Sequence, residues 1–285
     1  MLNNKQKLTY DLILMSVVKN CEEYLDFFFQ AILNISQDFR VKIIIGENGS
    51  EDNTLKKIHN SFLNVDLVDT TFIEQYPNRI FRLAKARQEV LDYLRKKNFQ
   101  SRYVCVIDLD DVLKKTLIEK NLRIMIRILE ENKNKYFGIS SQSKPYYYDI
   151  LNFLDEKNFN NNLKLMDNKS IFSYPERKKK IYNLQKNLSN LETFECTSSF
   201  NGMCVYFFDE FIKSNYFGLD LDGKIIPEHI NLNKRLAKIT KKKILVTNQA
   251  FVNMPLEHKP IFSFFHFLFN KLKKYFLISL KNAAN

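Results

Sequence analysis

Tyr103-Val104-Cys105-Val106-Ile107-Asp108-Leu109-Asp110-Asp111 runs strand-forming residues straight into a group of carboxylates. A short apolar run bounded by polar residues reads as a buried central strand. Carboxylates are costly to bury without partners, so Asp108, Asp110 and Asp111 belong where that strand leaves its sheet. In open α/β sheets, ligands bind in the crevice beyond the carboxyl ends of the strands. Clustered carboxylate oxygens suit Mg2+ or Mn2+, hard cations that also bridge to phosphates. A solvated acidic turn would show the same short pattern, so the reading depends on the rest of the chain.

Upstream, Leu12 to Val18 reads as another buried strand, followed by Asn20 as a helix cap with Glu23 in capping-box position. Leu25, Phe28, Phe29 and Ile32 continue at helical spacing. Val41 to Ile45 is a β-branched run broken by Gly46-Glu47-Asn48-Gly49-Ser50, and Ser50 is placed to cap a second helix. Val65 to Ile73 gives a third strand, and residues 78–97 a long helix. This β-α alternation predicts an α/β fold, a mostly parallel sheet flanked by helices. On the long helix Arg87 falls within the apolar stripe of Ile80, Ala84, Leu91 and Leu94. A charge on a core-facing stripe has to be paired or reach a ligand. Two readings follow: a salt bridge to an acidic loop, or a contact to a nucleotide diphosphate, which a planar guanidinium suits.

The chain has 285 residues, 45% of them hydrophobic, enough for one substantial core. Its formal net charge of +12 favours anionic partners without choosing among phosphorylated substrates, nucleic acid and acidic membrane surfaces. Cys21, Cys105, Cys196 and Cys204 form no C-x-x-C pair, so neither a zinc site nor a disulfide framework is expected. Reduced cysteines favour the cytoplasm. Residues 1–9 lack the apolar region of a signal peptide, and no apolar stretch is long enough to span a membrane.

Val17-Val18-Lys19-Asn20-Cys21-Glu22-Glu23-Tyr24-Leu25 resembles the V-x-N-E-x-x-Y-L start of family 2 glycosyltransferases. Ile44 to Thr54, I-I-G-E-N-G-S-E-D-N-T, is similar to that family's I-V-D-D-G-S-T-D-N-T segment. Arg82-Leu83-Ala84-Lys85-Ala86-Arg87-Gln88 resembles its A-R-N helix, in an R-x-x-L-A form also similar to capsule mannosyltransferases. Asp108-Leu109-Asp110-Asp111 then matches its D-x-D-D. Four motifs in order are far more specific than any one of them; they cover roughly residues 10–115. The sequence departs from the pattern where Glu47-Asn48 replaces Asp-Asp, where Gln88 replaces Asn, and in lacking a P-x-Y-N first loop.

The resemblance implies a GT-A (Rossmann-like) fold, with a nucleoside-diphosphate sugar across the carboxyl ends of the strands. A UDP-sugar is favoured and a GDP-sugar is the second choice. Val18, Lys19 and Asn20 would then flank the base, and Glu47 would stand where the family has an acidic residue touching it. Asp108 would face the ribose or sugar, and Asp110 would bind Mn2+ or Mg2+ between the phosphates. Gly202, in Phe200-Asn201-Gly202, is either an approach point for the donor sugar or an ordinary turn glycine. Pro227-Glu228-His229 to Leu236 looks like a variant of the family's E-D-x-x-L-x-x-R segment. Glu228 is the candidate base for an acceptor hydroxyl, with a helix N-terminal charge as the alternative. For His229 the expectation is packing, and for His258 an extra metal ligand as in other GT-A enzymes.

Residues 116–131 read as a helix, 136–140 and 243–248 as strands, while 142–192 show little order. From Ile261 to Lys281, Phe262, Phe265, Phe269, Leu272 and Phe276 share one helical stripe, with His266, Asn270, Lys273 and Lys274 on another. That pattern fits an interfacial helix on an anionic membrane, or else a helix packed on the domain. The expected organisation is a GT-A domain over residues 1–258, divided into a nucleotide-sugar half (1–115) and an acceptor-side half (116–258). A basic amphipathic tail occupies 259–285. The expected reaction is metal-dependent transfer of a sugar to a surface glycan, either lipopolysaccharide, capsule or a lipid-linked oligosaccharide. The enzyme would act in the cytoplasm at the inner face of the membrane. A sugar nucleotidyltransferase is the alternative, although Val17 to Glu23 lacks a Gly-rich phosphate loop. The other alternative is a non-enzymatic basic protein on membrane or nucleic acid, but no nucleic-acid module is present and a nucleic-acid partner is not expected.

Overall fold

The computed structural model describes residues 9–155, 174–220 and 222–259. Eight strands form one sheet: β1 (Thr9–Val18), β2 (Val41–Glu47), β3 (Val65–Asp69), β4 (Gln100–Ile107), β5 (Tyr136–Lys144), β6 (Thr193–Cys196), β7 (Met203–Phe207) and β8 (Lys243–Asn253). Their order is β3-β2-β1-β4-β7-β5-β8-β6. β1 to β4 pair in parallel. β7 is antiparallel to both β4 and β5, so β5 and its parallel partner β8 run in the direction of β4. β6 closes the far edge antiparallel to β8. This is the expected mostly parallel α/β sheet.

The strands alternate two buried faces. Leu12 and Leu14 of β1, with Tyr103, Cys105 and Ile107 of β4, meet helices α1 (Glu22–Ile35), α2 (Thr54–His59) and α4 (Ile118–Glu131). Ile13, Met15, Val104 and Val106 face α3 (Arg79–Lys96), α5 (Tyr174–Ser189), α6 (Phe208–Phe211) and α7 (Glu228–Thr240). Burial on both faces explains why the central strands are continuous apolar runs rather than alternating ones. All four cysteines are buried and unpaired.

Several local expectations change. Neither Asn20 nor Ser50 caps a helix. Asn20 takes a left-handed backbone, φ 54°, and its side chain accepts from the Glu51 N–H at 2.8 Å. Ser50 Oγ accepts from the Asn20 N–H at 2.9 Å. The start of α1 is served instead from the neighbouring loop: Thr54 Oγ1 accepts from Cys21 N–H and Asp52 Oδ2 from Glu22 N–H. The third strand stops at Asp69 and turns into a short 3-10 helix, Thr71–Gln75. α5 forms within residues where the sequence showed no order. The expected tail over 261–281, and with it the membrane contact, lies outside the described residues. Among the described residues no helix is long and apolar enough to cross a membrane.

Candidate active site

Strand direction gathers the site. The carboxyl ends of β1, β2, β4, β5 and β8 and the amino end of β7 share one edge of the sheet, and α7 starts beside it. A pocket of about 240 Å³ opens there. Val17, Val18 and Lys19 form one wall, Asn48, Thr70 and Ile73 another. Arg79, Leu83, Ala86 and Arg87 of α3 close a third, and Asp108, Leu109 and Asp110 form the floor. Glu74 ties the mouth together: its Oε1 accepts from Lys19 Nζ at 3.0 Å and from Asn48 Nδ2 at 2.7 Å.

Behind the floor lies a charge triad. Arg87 is 5% exposed, and its Nη2 lies 2.8 Å from Asp108 Oδ1. Its Nε donates to Glu228 Oε1 at 3.1 Å, and Glu228 is also 5% exposed. The guanidinium rests over the Phe200 ring at 5.0 Å, and His229 stacks on Phe200 with centroids 3.8 Å apart. Burial opposes the charge on Arg87, but Asp108 and Glu228 outweigh it and hold the pKa above its ordinary range. Burial raises the Glu228 pKa, and Arg87 pulls it back. Burial, reinforced by Arg87, keeps His229 neutral with a pKa well below the ordinary value. Arg87 Nη1 is enclosed and hydrogen-bonds no group among the described residues.

The β4 turn is held from β7. Gly202 has φ +82°, and its carbonyl accepts from the Asp108 N–H at 3.0 Å. A Cβ there would come within 2.7 Å of both Tyr148 Oη and Val112 Cγ1, so no side chain fits without displacement. Asn201 Oδ1 accepts from the Tyr148 and Asp149 N–H groups at 3.2 Å each, while its Nδ2 donates to Ser141 O at 3.1 Å. One dipeptide thus fixes both the Asp108 turn and the turn after β5.

The sequence profile of glycosyl transferase family 2 matches residues 14–210. The chain belongs to glycosyl transferase family 2. It is a glycosyltransferase, and solved structures of low identity share its fold. A mycobacterial protein aligns over 87% of this chain and 69% of its own, at 13% identity and a TM-score of 0.51. Glucosyl-3-phosphoglycerate synthase from Mycobacterium tuberculosis, solved with Mn2+, UDP and phosphoglyceric acid, covers 87% of this chain and 72% of its own at 13% identity, TM-score 0.50. A Pyrobaculum calidifontis mannosyltransferase, solved with GDP-Man and Mn2+, covers 87% and 57% at 10% identity, TM-score 0.50. No curated protein matches the sequence significantly.

Of the residues singled out in this glycosyltransferase's sequence, Val18, Lys19, Arg87, Asp108 and Asp110 line the one pocket. Asn20 and Glu47 do not. Glu47 is buried, and its two carboxylate oxygens accept from Gly49 N–H at 3.0 Å and Ser50 N–H at 2.6 Å, so it shapes the loop and Asn48 takes the wall. Gly202 is also outside the lining and serves the turn geometry just described. Glu228, the candidate base, stands in the first turn of α7 as its alternative reading had it, and it is buried and bound to Arg87, a placement that does not suit a base for an acceptor hydroxyl. Arg87, offered two readings by its stripe, takes both positions, paired with carboxylates and facing the pocket. His258 reaches the same edge after β8, its ring 4.9 Å from that of Tyr148 and its Nε2 3.5 Å from Glu257 Oε1.

The family implies a divalent cation, and the donor set suits one. Asp110 Oδ1 accepts from Val112 N–H at 2.9 Å, and the side chain is open to solvent. Enclosure of its surroundings, then the charges of Asp108, Asp111 and Glu257, push its pKa up to about 7. Such crowding of oxygen anions is what a hard cation relieves. Among the described residues no three His, Cys, Asp or Glu side chains converge into a complete metal cage. A cation here would complete its shell with phosphate oxygens and water, the habit of Mg2+.

Asn48, Glu74, Asn201 and Asp149 escaped the sequence reading. Asp149 follows β5, half-buried, with Asn152 Nδ2 donating to its Oδ2 at 2.8 Å. Burial raises its pKa; Asn152 and His258 act against that and Asp108 adds to it. Its only sequence signal was its place just after a strand on the ligand-binding edge.

Proposed function

We propose that the protein transfers a sugar from a nucleoside-diphosphate sugar to a hydroxyl of a surface glycan or lipid-linked acceptor. The observation that carries this is the junction of β4: Asp108 clamped by Arg87, and Asp110 open on the pocket that the first-strand loop walls. Val18, Lys19 and Asn48 bind the nucleoside end, and the 1–115 segment is the donor half. A divalent cation, Mn2+ or Mg2+, held by Asp110 with Asp108 beside it, would offset the charge on the departing diphosphate. Arg87 fixes Asp108 and, from the pocket wall, contributes positive charge toward the phosphates. Related folds have been solved with UDP and with GDP-Man, so either base is compatible with the architecture.

The acceptor reading rests on the strongly basic chain and the phenylalanine-rich 261–281 stripe, which together suit an anionic membrane at the cytoplasmic face. Calorimetry of UDP and GDP with and without Mn2+ tests the donor site, followed by hydrolysis across a panel of nucleotide sugars. Metal-dependent binding of one nucleotide is expected. Equal binding with and without metal would sink the assignment of Asp110. Co-sedimentation of the full chain with vesicles containing anionic lipid tests the membrane reading, and no binding at low salt would remove it.

A further inference from the structure

Glu228 cannot easily receive a proton from an acceptor, because its Oε1 holds Arg87 and the residue is enclosed. A sugar hydroxyl needs a carboxylate that is both near the donor and reachable. Asp149 lies outside the pocket lining, but it follows β5 on the pocket's edge of the sheet. It is half-buried rather than enclosed, and it sits on the same sheet edge as Asp108. Its backbone N–H is bound by Asn201 Oδ1, while the next residue, Gly202, binds the Asp108 N–H. The two carboxylates are therefore set by one rigid dipeptide. Tyr148, immediately before Asp149, places its hydroxyl against Gly202 and its ring against His258. Asn152 holds Asp149 Oδ2 at 2.8 Å, while among the described residues Oδ1 has only a long 3.4 Å contact, to Asn152 N–H. Among the described residues no Lys or Arg forms an ion pair with it.

We propose that Asp149 is the catalytic base, binding the acceptor hydroxyl through Oδ1. This rests on the donor-site reading above. The hydroxyl oxygen forms a bond to the anomeric carbon, and the bond from that carbon to the diphosphate oxygen breaks. The electron pair leaves on the diphosphate, and the hydroxyl proton passes to Asp149. Direct displacement inverts the anomeric configuration. Asn152 and Asn201 position the carboxylate.

UDP-glucose and GDP-mannose, each with Mn2+ and with water as the acceptor, provide the test. D149N should bind UDP or GDP with Mn2+ within about twofold of wild type, yet hydrolyse the donor at least ~100-fold more slowly, the range expected for a lost base. D149A should regain at least ~10-fold on addition of sodium formate, which a structural role would not produce. The sugar first released by wild type should show inverted configuration by NMR. Hydrolysis by D149N within threefold of wild type, retention of configuration, or formate rescue of E228A in place of D149A would overturn the proposal. A wild type that binds neither UDP nor GDP with Mn2+ would overturn the donor-site reading instead.

Discussion

In β1 to β4 each strand brings its site residue to the edge at its own carboxyl end, and the next helix follows directly. In β5 to β8 the strands are shuffled in space and two run backwards. Their site residues are placed by side chains reaching across the fold. Asn201 bonds Tyr148 and Asp149, Ser140 Oγ bonds Phe200 O, and Ser141 Oγ bonds Asn201 O. A parallel βα unit encodes its geometry locally, so a motif can report it. A mixed half relies on buried polar contacts between residues some 50 to 60 positions apart. Arg87 of α3 and Glu228 of α7 are the electrostatic tie between the two.

That tie gives the largest expected effect. R87A leaves Asp108 and Glu228 without their shared counter-charge, and breaking such a buried pair costs about 3–5 kcal/mol. Urea unfolding measures it, and R87M/E228Q should recover part of the loss. A loss below ~1 kcal/mol would mean the halves are not coupled through this residue.

Next, D110N should lower Mn2+-dependent diphosphate affinity by roughly 100-fold, about 2.8 kcal/mol, with the unfolding midpoint little changed. The donor half would then be shown to hold its ligand through one open carboxylate. Unaltered metal-dependent affinity in calorimetry would remove Asp110 from that role.

N201A tests the other half. It removes the acceptor of the Asp149 N–H and one of the two acceptors of the Tyr148 N–H, the other being Ser143 Oγ, and should destabilise the protein by about 1–2 kcal/mol. Asn201 also has φ 50°, so N201G separates lost bonds from backbone strain. Donor hydrolysis should fall more than nucleotide affinity; equal falls would mean that the dipeptide serves only the donor side.

The smallest effect is pH dependence at His229. The unfolded chain takes up a proton there near pH 6.5, while the folded chain, with its pKa well below that value, does not. Stability present above that pH is therefore lost as pH falls below it, by at most ~1.4 kcal/mol per unit from this one group. H229F keeps the stack on Phe200 and should flatten that slope. An identical slope in both proteins would place the acid sensitivity elsewhere.

The sequence was most legible where chemistry and backbone coincide. Asp108 and Asp110 follow an apolar strand, and their position at its end is forced by the cost of burying charge. The stripe around Arg87 announced a buried cation in need of partners, although not which ones. At Glu47 the motif position is not a pocket contact: its carboxylate accepts from two N–H groups of its own loop. The Asn20 and Ser50 caps failed for a related reason. Each of the first two loops is completed by the other, which local capping rules do not see.

The sequence alone determined that a parallel α/β sheet forms, that β4 is central and ends in carboxylates, and that a family 2 pattern runs through the first 115 residues. Those features are carried by neighbouring residues, in strand runs, helix stripes and spaced motifs. Only the tertiary structure decided that Glu228 is Arg87's partner, that Asn48 and not Glu47 walls the pocket, and that Asn201-Gly202 ties the Asp149 turn to the Asp108 turn. These facts depend on which side chains meet after the strands reorder, and contacts across more than a hundred residues, as between Arg87 and Glu228, leave no periodic trace in the chain.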